Sequence, residues 1–509
     1  MTVATSASGA VCGTIRTSEL AVDGGPLHTF LGVPYAEPTA GRRFLPPVPV
    51  QPWAEVRDCT RPGPMAPQNP DPFMESSDLW DEGSCLNLNI WTPGIDAAAR
   101  PVMVWIHGGA YLGGSNNGGL HDGGSLAWAE NVVVVAVNYR LGAFGFLHLP
   151  ELLGPEYADS SNVALLDILE ALRWVRRNIA AFGGDPGNVT VFGGSAGAAA
   201  VGTLLGMPAS EGLFRRAIMQ SGTAERFRST RESAAVARQF LGHCGLEASR
   251  AGDLLTLPAG RLLEAQKLLV DAEAERDFGV PLPFKPTVGT PSLPACPLDA
   301  VREGRSSAVD LLIGTNLNEG SFAVEMRPSY PNDPPRLEDR VGLLVAARSA
   351  HPAVAARGYA AALTDCMDVE PTGKELMEAC LADILYRQPS NRLLDARVSA
   401  AGNSFSYLFA WATPALDGRL GACHTLEVPF VFRHLDGQQA RFLVGQNPPK
   451  GLSDNISSAW AAFARNGIPS APGLPRWPAY GPERKTMVLD VVSRVELDPR
   501  SNLRRFWQA

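Results

Sequence analysis

The chain has 509 residues, 45% of them hydrophobic and 19% charged, which are the proportions of an ordinary globular protein and exclude a disordered one. Its 44 Lys and Arg against 52 Asp and Glu leave a formal net charge of −8 with no basic run, so neither nucleic acid nor an anionic membrane is an expected partner. No apolar stretch approaches the roughly 18 residues that a membrane span requires.

The opening Met1 to Ser6 carries no cation, the first being Arg16, and no apolar run of the signal-peptide kind. The eight cysteines are scattered, with no C-x-x-C pair and no metal-ligand spacing. A cytoplasmic protein with reduced thiols and no metal or organic cofactor is the expectation.

Residues 13 to 35 alternate as short strands do, and a Pro-rich connector occupies 46 to 52. Val102 to Ile106 and Val132 to Val137 are continuous apolar, β-branched runs, as in strands buried on both faces. Leu165 to Ile179 predicts a helix, with Leu165, Leu169, Leu172 and Val175 on one stripe. Strand Val189 to Phe192, helix Ala196 to Leu205 and strand Ala217 to Gln220 follow. This alternation implies an α/β fold, a large, mostly parallel sheet with helices on both faces.

Beyond Gly222 the chain is helical and charged to about 275, then Pro-rich from 281 to 297. Strand Asp310 to Gly314 returns to the sheet. The stretch of about 320 to 400 reads as an alanine-rich helical cap packed beside the sheet. Strand Phe405 to Trp411 and a last helix near 454 to 465 close a single domain that spans 1 to 509.

Val191-Phe192-Gly193-Gly194-Ser195-Ala196-Gly197 ends an apolar run in G-x-S-x-G, a sharp strand-to-helix turn that exposes a serine hydroxyl above the sheet. Two lookalikes, Gly113-Gly114-Ser115 and Gly123-Gly124-Ser125, lack glycine two residues after the serine. A serine is a poor nucleophile until a histidine takes its proton and a carboxylate fixes the histidine. His424, in Gly421-Ala422-Cys423-His424-Thr425, sits in a loop setting suited to that base. His28, His121, His148, His243, His351 and His434 have no such setting and read as surface or packing residues.

Glu319 follows the buried strand ending at Gly314, at the edge where catalytic groups of open α/β sheets gather. Asp310 begins that strand and falls at the opposite end. Ser195, Glu319 and His424 therefore satisfy the nucleophile, acid, histidine order of an α/β-hydrolase. His107-Gly108-Gly109-Ala110 follows another buried strand, so the N–H groups of Gly108, Gly109 and Ala196 make an oxyanion hole, with His107 bracing the loop.

With these residues in place, the chain closely resembles the type-B carboxylesterases, the family of para-nitrobenzyl esterases and cholinesterases. The likeness runs through Phe30 to Ala36, Cys85 to Ile90, the His107 loop, Asn138 to Gly142, Phe182 to Pro186, the Ser195 turn, Gln220-Ser221-Gly222, the Glu319 loop and His424 to Phe432. The resemblance implies the Ser195, Glu319 and His424 triad, with Ser221 as a hydroxyl behind it. It also implies cleavage of carboxylic esters through an acyl-enzyme, with a small-molecule ester and water as partners. Amides or carbamates are the alternative, and a non-catalytic binding protein on this fold is the third. A monomer and a small homo-oligomer both stay open.

Several positions depart from the family pattern. Gly63-Pro64-Met65-Ala66-Pro67-Gln68 lacks the cysteine that pairs with Cys85, which leaves an entrance loop of about 66 to 84 unstapled. Gly83-Ser84 replaces an acidic pair, which implies loss of a salt bridge to an N-terminal arginine. Gly194 and Ile168 stand where the family has polar side chains, which implies weaker buried polar networks. Phe73 and Trp80, opposite Thr413 to Leu420, are the expected lips of the entrance, and Tyr111, Met219 and Phe284 the expected pocket lining.

Overall fold

A computed structural model describes residues 1–17, 25–70, 79–276, 282–326, 334–346 and 352–508. Its sheet strands are β1 (Thr2–Ser6), β2 (Gly9–Thr17), β3 (Pro26–Pro34), β4 (Asn87–Thr92), β5 (Arg100–Ile106), β6 (Val133–Val137), β7 (Gly184–Gly194), β8 (Arg216–Gln220), β9 (Asp310–Asn316), β10 (Ser404–Phe409), β11 (Lys485–Leu489) and β12 (Arg494–Leu497). Among the described residues they form one thirteen-stranded sheet, in the order β1-β2-β3-β4-β6-β5-β7-β8-β9-β10-β11-β12, with Arg57–Asp58 paired to β2. From β6 through β11 in that order all neighbours are parallel. The N-terminal meander and β12 are antiparallel.

Alternation along the central strands sorts the core into two layers. Val133, Val135 and Val137 of β6 join Val102, Val104 and Ile106 of β5 in one apolar cluster, while Val134, Ala136, Met103 and Trp105 join the cluster on the other face. Continuous β-branched runs are what a strand needs when both faces are covered.

The first layer is covered by α1 (Val163–Asn178) and α2 (Ala196–Gly206). Every residue of α2 is buried, and its run of alanines and glycines lets the helix lie close to the sheet. Further along the chain, α3 (Pro334–Ala346), α4 (Pro352–Met367) and α5 (Gly373–Ala382) share a third, smaller cluster around Val345, Tyr359 and Met377. The opposite face of the sheet is covered by α6 (Lys450–Asn466).

The expected helix near 454 to 465 is α6, but it does not close the fold. After it come β11, β12 and α7 (Ser501–Gln508), whose Leu503 completes the cap cluster. Lys485–Leu489 is a five-residue run behind a Pro-rich stretch, too short to announce a strand without its neighbour β10. No described helix is long and apolar enough to cross a membrane.

Candidate active site

Parallel strands place their carboxyl ends at one edge, and the ends of β5, β7, β8 and β9 deliver the His107 loop, Ser195, Ser221 and Glu319. At the end of β7 the chain turns at Ser195 with φ 56° and ψ −120°, outside the regions that ordinary residues favour. The turn is held sterically. A Cβ on Gly193 would lie 2.6 Å from the Gly197 carbonyl carbon, and one on Gly197 would lie 2.0 Å from the Ile106 oxygen. Ser195 N–H donates to the Gln220 carbonyl at 2.8 Å, tying the turn to β8.

Past the end of β9, Glu319 turns back under the sheet edge. One of its oxygens, Oε1, accepts the Asn316 N–H at 2.7 Å and the Ser221 hydroxyl. The other, Oε2, lies 2.5 Å from His424 Nδ1, and His424 Nε2 lies 2.8 Å from Ser195 Oγ. The carboxylate is buried, whereas the imidazole keeps 15% of its side chain exposed, so only the working end of the line meets solvent.

The loops of Glu319 and His424 are fastened to each other. Asn318 N–H donates to Ala422 O at 2.9 Å, Ala422 N–H to Asn318 Oδ1 at 3.1 Å, and Asn316 Nδ2 to Cys423 O at 2.6 Å. His424 is thus positioned by the strand end that carries its carboxylate.

The β5 loop supplies N–H donors. Gly108 and Gly109, with Ala196 at the start of α2, donate no hydrogen bond to any described residue, so three N–H groups beside Ser195 are free for an incoming oxygen. Gly108 abuts Ser195: a Cβ there would be 3.1 Å from Ser195 Cβ. His107 braces this loop. Its ring stacks on Tyr139 at 4.5 Å, Nδ1 lies 2.9 Å from Gly108 O, and burial pushes its pKa down to about 4.

Two groups were missed by the sequence reading. Tyr386, on a π-helical turn at Asp383–Arg387, stacks on His424 with ring centroids 4.6 Å apart and its hydroxyl 3.4 Å from Nε2. Such turns inside helices recur at functional positions. In the same turn Arg387 Nη2 donates to the carbonyls of Asn316 at 3.1 Å and Leu317 at 2.9 Å, bracing the Glu319 loop.

Glu427 is the second. It is buried, accepts from Gln220 Nε2 at 3.1 Å and Asn316 Nδ2 at 2.6 Å, and burial followed by the charge of Glu319 raises its pKa. Trp460 Nε1 donates to Gln220 Oε1 at 3.0 Å, so a polar network persists beside Glu319 and His424 despite Gly194 and Ile168. A glutamate inside the apolar run Leu426 to Phe432 was the available signal.

Other expectations need correction. The salt bridge to an N-terminal arginine is retained: Arg43 Nε and Nη2 each lie 2.5 Å from Glu82, one position before Gly83. A turn at Asp81 to Ser84 brings the acid into reach. Tyr111, Met219 and Phe284 have no accessible surface and so line no open pocket. Met219 points at Gly202 of α2, Phe284 packs on Phe240, and Tyr111 on Phe146, its hydroxyl having no partner among the described residues. Trp80 is 36% exposed and pairs with Met65 in an isolated bridge, whereas Thr413 and Leu420 are buried. Phe73, His351 and part of the 66 to 84 loop lie outside the described residues.

Asp310 sits at the far end of β9, 3.5 Å from Arg216. Cys85 is buried and free, its sulfur 3.7 Å from the Glu82 carbonyl. Among the described residues no group of three or more His, Cys, Asp or Glu is placed to hold a metal ion.

Residues 1–507 match the carboxylesterase family. The chain belongs to that family. It is 38% identical over 485 residues to the para-nitrobenzyl esterase of Bacillus subtilis (strain 168), covering 94% of each chain. It is 34% identical over 476 residues to the phenmedipham hydrolase of Pseudarthrobacter oxydans, covering 89% of each. Among solved structures, a carboxylesterase of Geobacillus stearothermophilus superposes with a TM-score of 0.86 at 36% identity, covering 100% of both chains. The fold is that of the α/β-hydrolase carboxylesterases, and the protein is a carboxylic ester hydrolase acting on a small molecule with water.

Proposed function

We propose that this esterase works through Ser195, His424 and Glu319 by acyl transfer. Ser195 Oγ attacks the ester carbonyl carbon as its proton passes to His424 Nε2, and Glu319 holds the imidazolium that forms. The carbonyl oxygen, now an anion, accepts from Gly108, Gly109 and Ala196, each donor worth roughly 3 kcal/mol in the transition state. The intermediate collapses by expelling the alcohol, which takes the proton from Nε2. Water then repeats the sequence on the acyl-enzyme and releases the acid. The observation that carries this reading is the unbroken line from Ser195 Oγ through His424 to Glu319, with three unpaired N–H groups beside it.

The substrates proposed are esters with apolar or aromatic parts, in keeping with the likeness to a para-nitrobenzyl esterase. Carbamates form a second class on the same triad, supported by the likeness to a phenmedipham hydrolase. A cytoplasmic setting fits Cys85, whose sulfur meets a carbonyl instead of a second sulfur. The test is a panel of aryl esters, aryl carbamates and aryl amides assayed with the parent and Ser195→Ala. The alanine variant is expected to lose at least ~10⁴-fold in kcat and all labelling by a fluorophosphonate. Equal rates in the two proteins would remove the mechanism, and carbamate rates rivalling ester rates would reverse the order of the two classes.

A further inference from the structure

A cavity of about 800 Å³ lies between the cap and the loops of the sheet edge. It touches Leu317 and Asn318, just before Glu319, and Gly421, just before His424, but none of the triad lines it. Its volume falls in the range of roughly 300–1,000 Å³ typical of small-molecule sites. Leu363, Met367, Leu408 and Val488 make part of its wall apolar.

Most charges around the cavity are already matched. Lys374 and Arg419 both pair with Glu325, and Arg494 with Glu496 at 2.6 Å. Glu375 accepts from Thr372 in the cap of α5, Glu378 lies 3.8 Å from Lys374, and Asp365 stands exposed at the rim. Burial pushes the Glu378 carboxyl up to about 7, so its negative charge is largely suppressed below neutral pH.

Arg500 is the exception. It lines the cavity, its side chain makes no hydrogen bond or ion pair among the described residues, and its Nε is shut off from solvent with no acceptor there. The nearby carboxylate of Asp498 is occupied by Arg504, at 2.8 and 2.6 Å. The buried carboxyl of Asp383, whose charge reaches Arg500, is already shared by Arg387 at 3.4 Å, Tyr359 at 3.0 Å and Trp507 at 3.0 Å, and Arg387 adds a like charge. The sheltered guanidinium therefore keeps donors unmet, and a planar carboxylate matches their fork. Ser501 and Asn502, the first residues of α7, lie on the same wall, where a helix start adds partial positive charge. Carboxylates at Glu496 and Asp365 disfavour a doubly charged ligand.

We propose that this cavity is a second binding site, for monocarboxylates with an apolar body, held by Arg500. It does not depend on the catalytic reading and needs no turnover. The test is calorimetric titration of octanoate, and separately of octanol, into the parent, Arg500→Gln, Arg500→Lys and Met367→Trp. Octanoate is expected to bind the parent saturably, at least tenfold tighter than octanol. Arg500→Gln should weaken octanoate tenfold or more, Arg500→Lys less, and Met367→Trp should block the site by filling it. Met367→Trp leaves the arginine in place, so a folding defect in one variant does not void the result. Absent binding to the parent, equal affinities for octanoate and octanol, or octanoate affinities unchanged in both Arg500→Gln and Met367→Trp would overturn the proposal.

Discussion

Glu319 and Glu427 are two buried carboxyl groups fastened to one residue, Asn316. Its backbone N–H donates to Glu319 at 2.7 Å and its side-chain amide to Glu427 at 2.6 Å. The same amide reaches the carbonyl of Cys423, next to His424. One asparagine at the end of β9 therefore sets the distance between the carboxylate facing His424 and a second acid. Ionising both acids in one buried region is costly, and the neutral form of Glu427 is the one favoured.

Replacing Glu427 by Gln should expose that preference through pH. Below its ordinary pKa of 4.5 Glu427 is protonated in both folded and unfolded chains and contributes no pH dependence. As pH rises above that value the unfolded chain ionises freely and the folded one resists, so the parent loses stability that the glutamine variant keeps. The melting-temperature difference, variant minus parent, should move toward the variant as pH rises through and above 4.5. A difference independent of pH would mean that Glu427 is no harder to ionise in the fold.

His107 should act in the opposite window. Burial lowers its pKa from 6.5 to about 4, so the stability it confers is complete above 6.5 and is lost as pH falls toward 4. The full loss is on the order of 3 kcal/mol. Denaturant unfolding of His107→Gln should show a shallower fall over that window than the parent. Because His107 stays neutral through it, the midpoint of the acid limb of kcat/KM should not move in the variant. A displaced midpoint would make His107 part of the proton chemistry.

The serine turn was legible because its sterics are local: Gly193 and Gly197 are needed wherever that backbone is built. Strands β5 and β6 were legible because β-branched runs suit nothing but burial on both faces. Glu319 could be found by its place after a strand end, whereas His424, fifteen residues beyond the nearest strand, was singled out by the family resemblance. Tyr386 could not, because its ring reaches His424 through a π turn that no periodicity encodes. Met219 was misplaced because alternation along β8 sends its side chain toward α2, and the strand's sequence does not say which face holds the pocket. Arg43 and Glu82 were missed because a tight turn moved the acid by one position.

Arg43 joins three segments and should be a stability hot spot. Its guanidinium meets Glu82 on one side, and Nη1 donates to the carbonyls of Leu254 at 2.7 Å and Leu257 at 2.8 Å. Arg43→Ala strands all three acceptors and should cost about 2 kcal/mol in urea unfolding, the ion pair itself being partly screened. Arg43→Lys should recover less than half, because an ammonium cannot meet a carboxylate and two carbonyls in one plane. Full recovery by lysine would show that charge alone matters there.

Gly194, Gly197 and Gly108 surround one serine yet should respond differently to alanine. At Gly194 the nearest neighbour of an added methyl is the Trp105 ring at 3.1 Å, with the next atoms at 3.7 Å, so a small ring shift admits it and the melting temperature should change by only a few degrees. At Gly197 the methyl would sit 2.0 Å from the Ile106 carbonyl and 2.7 Å from that of His107, both backbone atoms, and the variant should lose more than about 4 kcal/mol or fail to fold. Gly108→Ala meets the Gly194 carbonyl at 2.8 Å as well as Ser195, so the loop must move away from the nucleophile and carry its N–H with it. That variant should fold but lose roughly 100-fold or more in kcat, since the N–H would no longer reach the developing oxyanion. Thermal melts and turnover of an aryl ester by the three proteins separate the cases. If Gly108→Ala kept its parent's kcat, the oxyanion would have to be held by Gly109 and Ala196 alone.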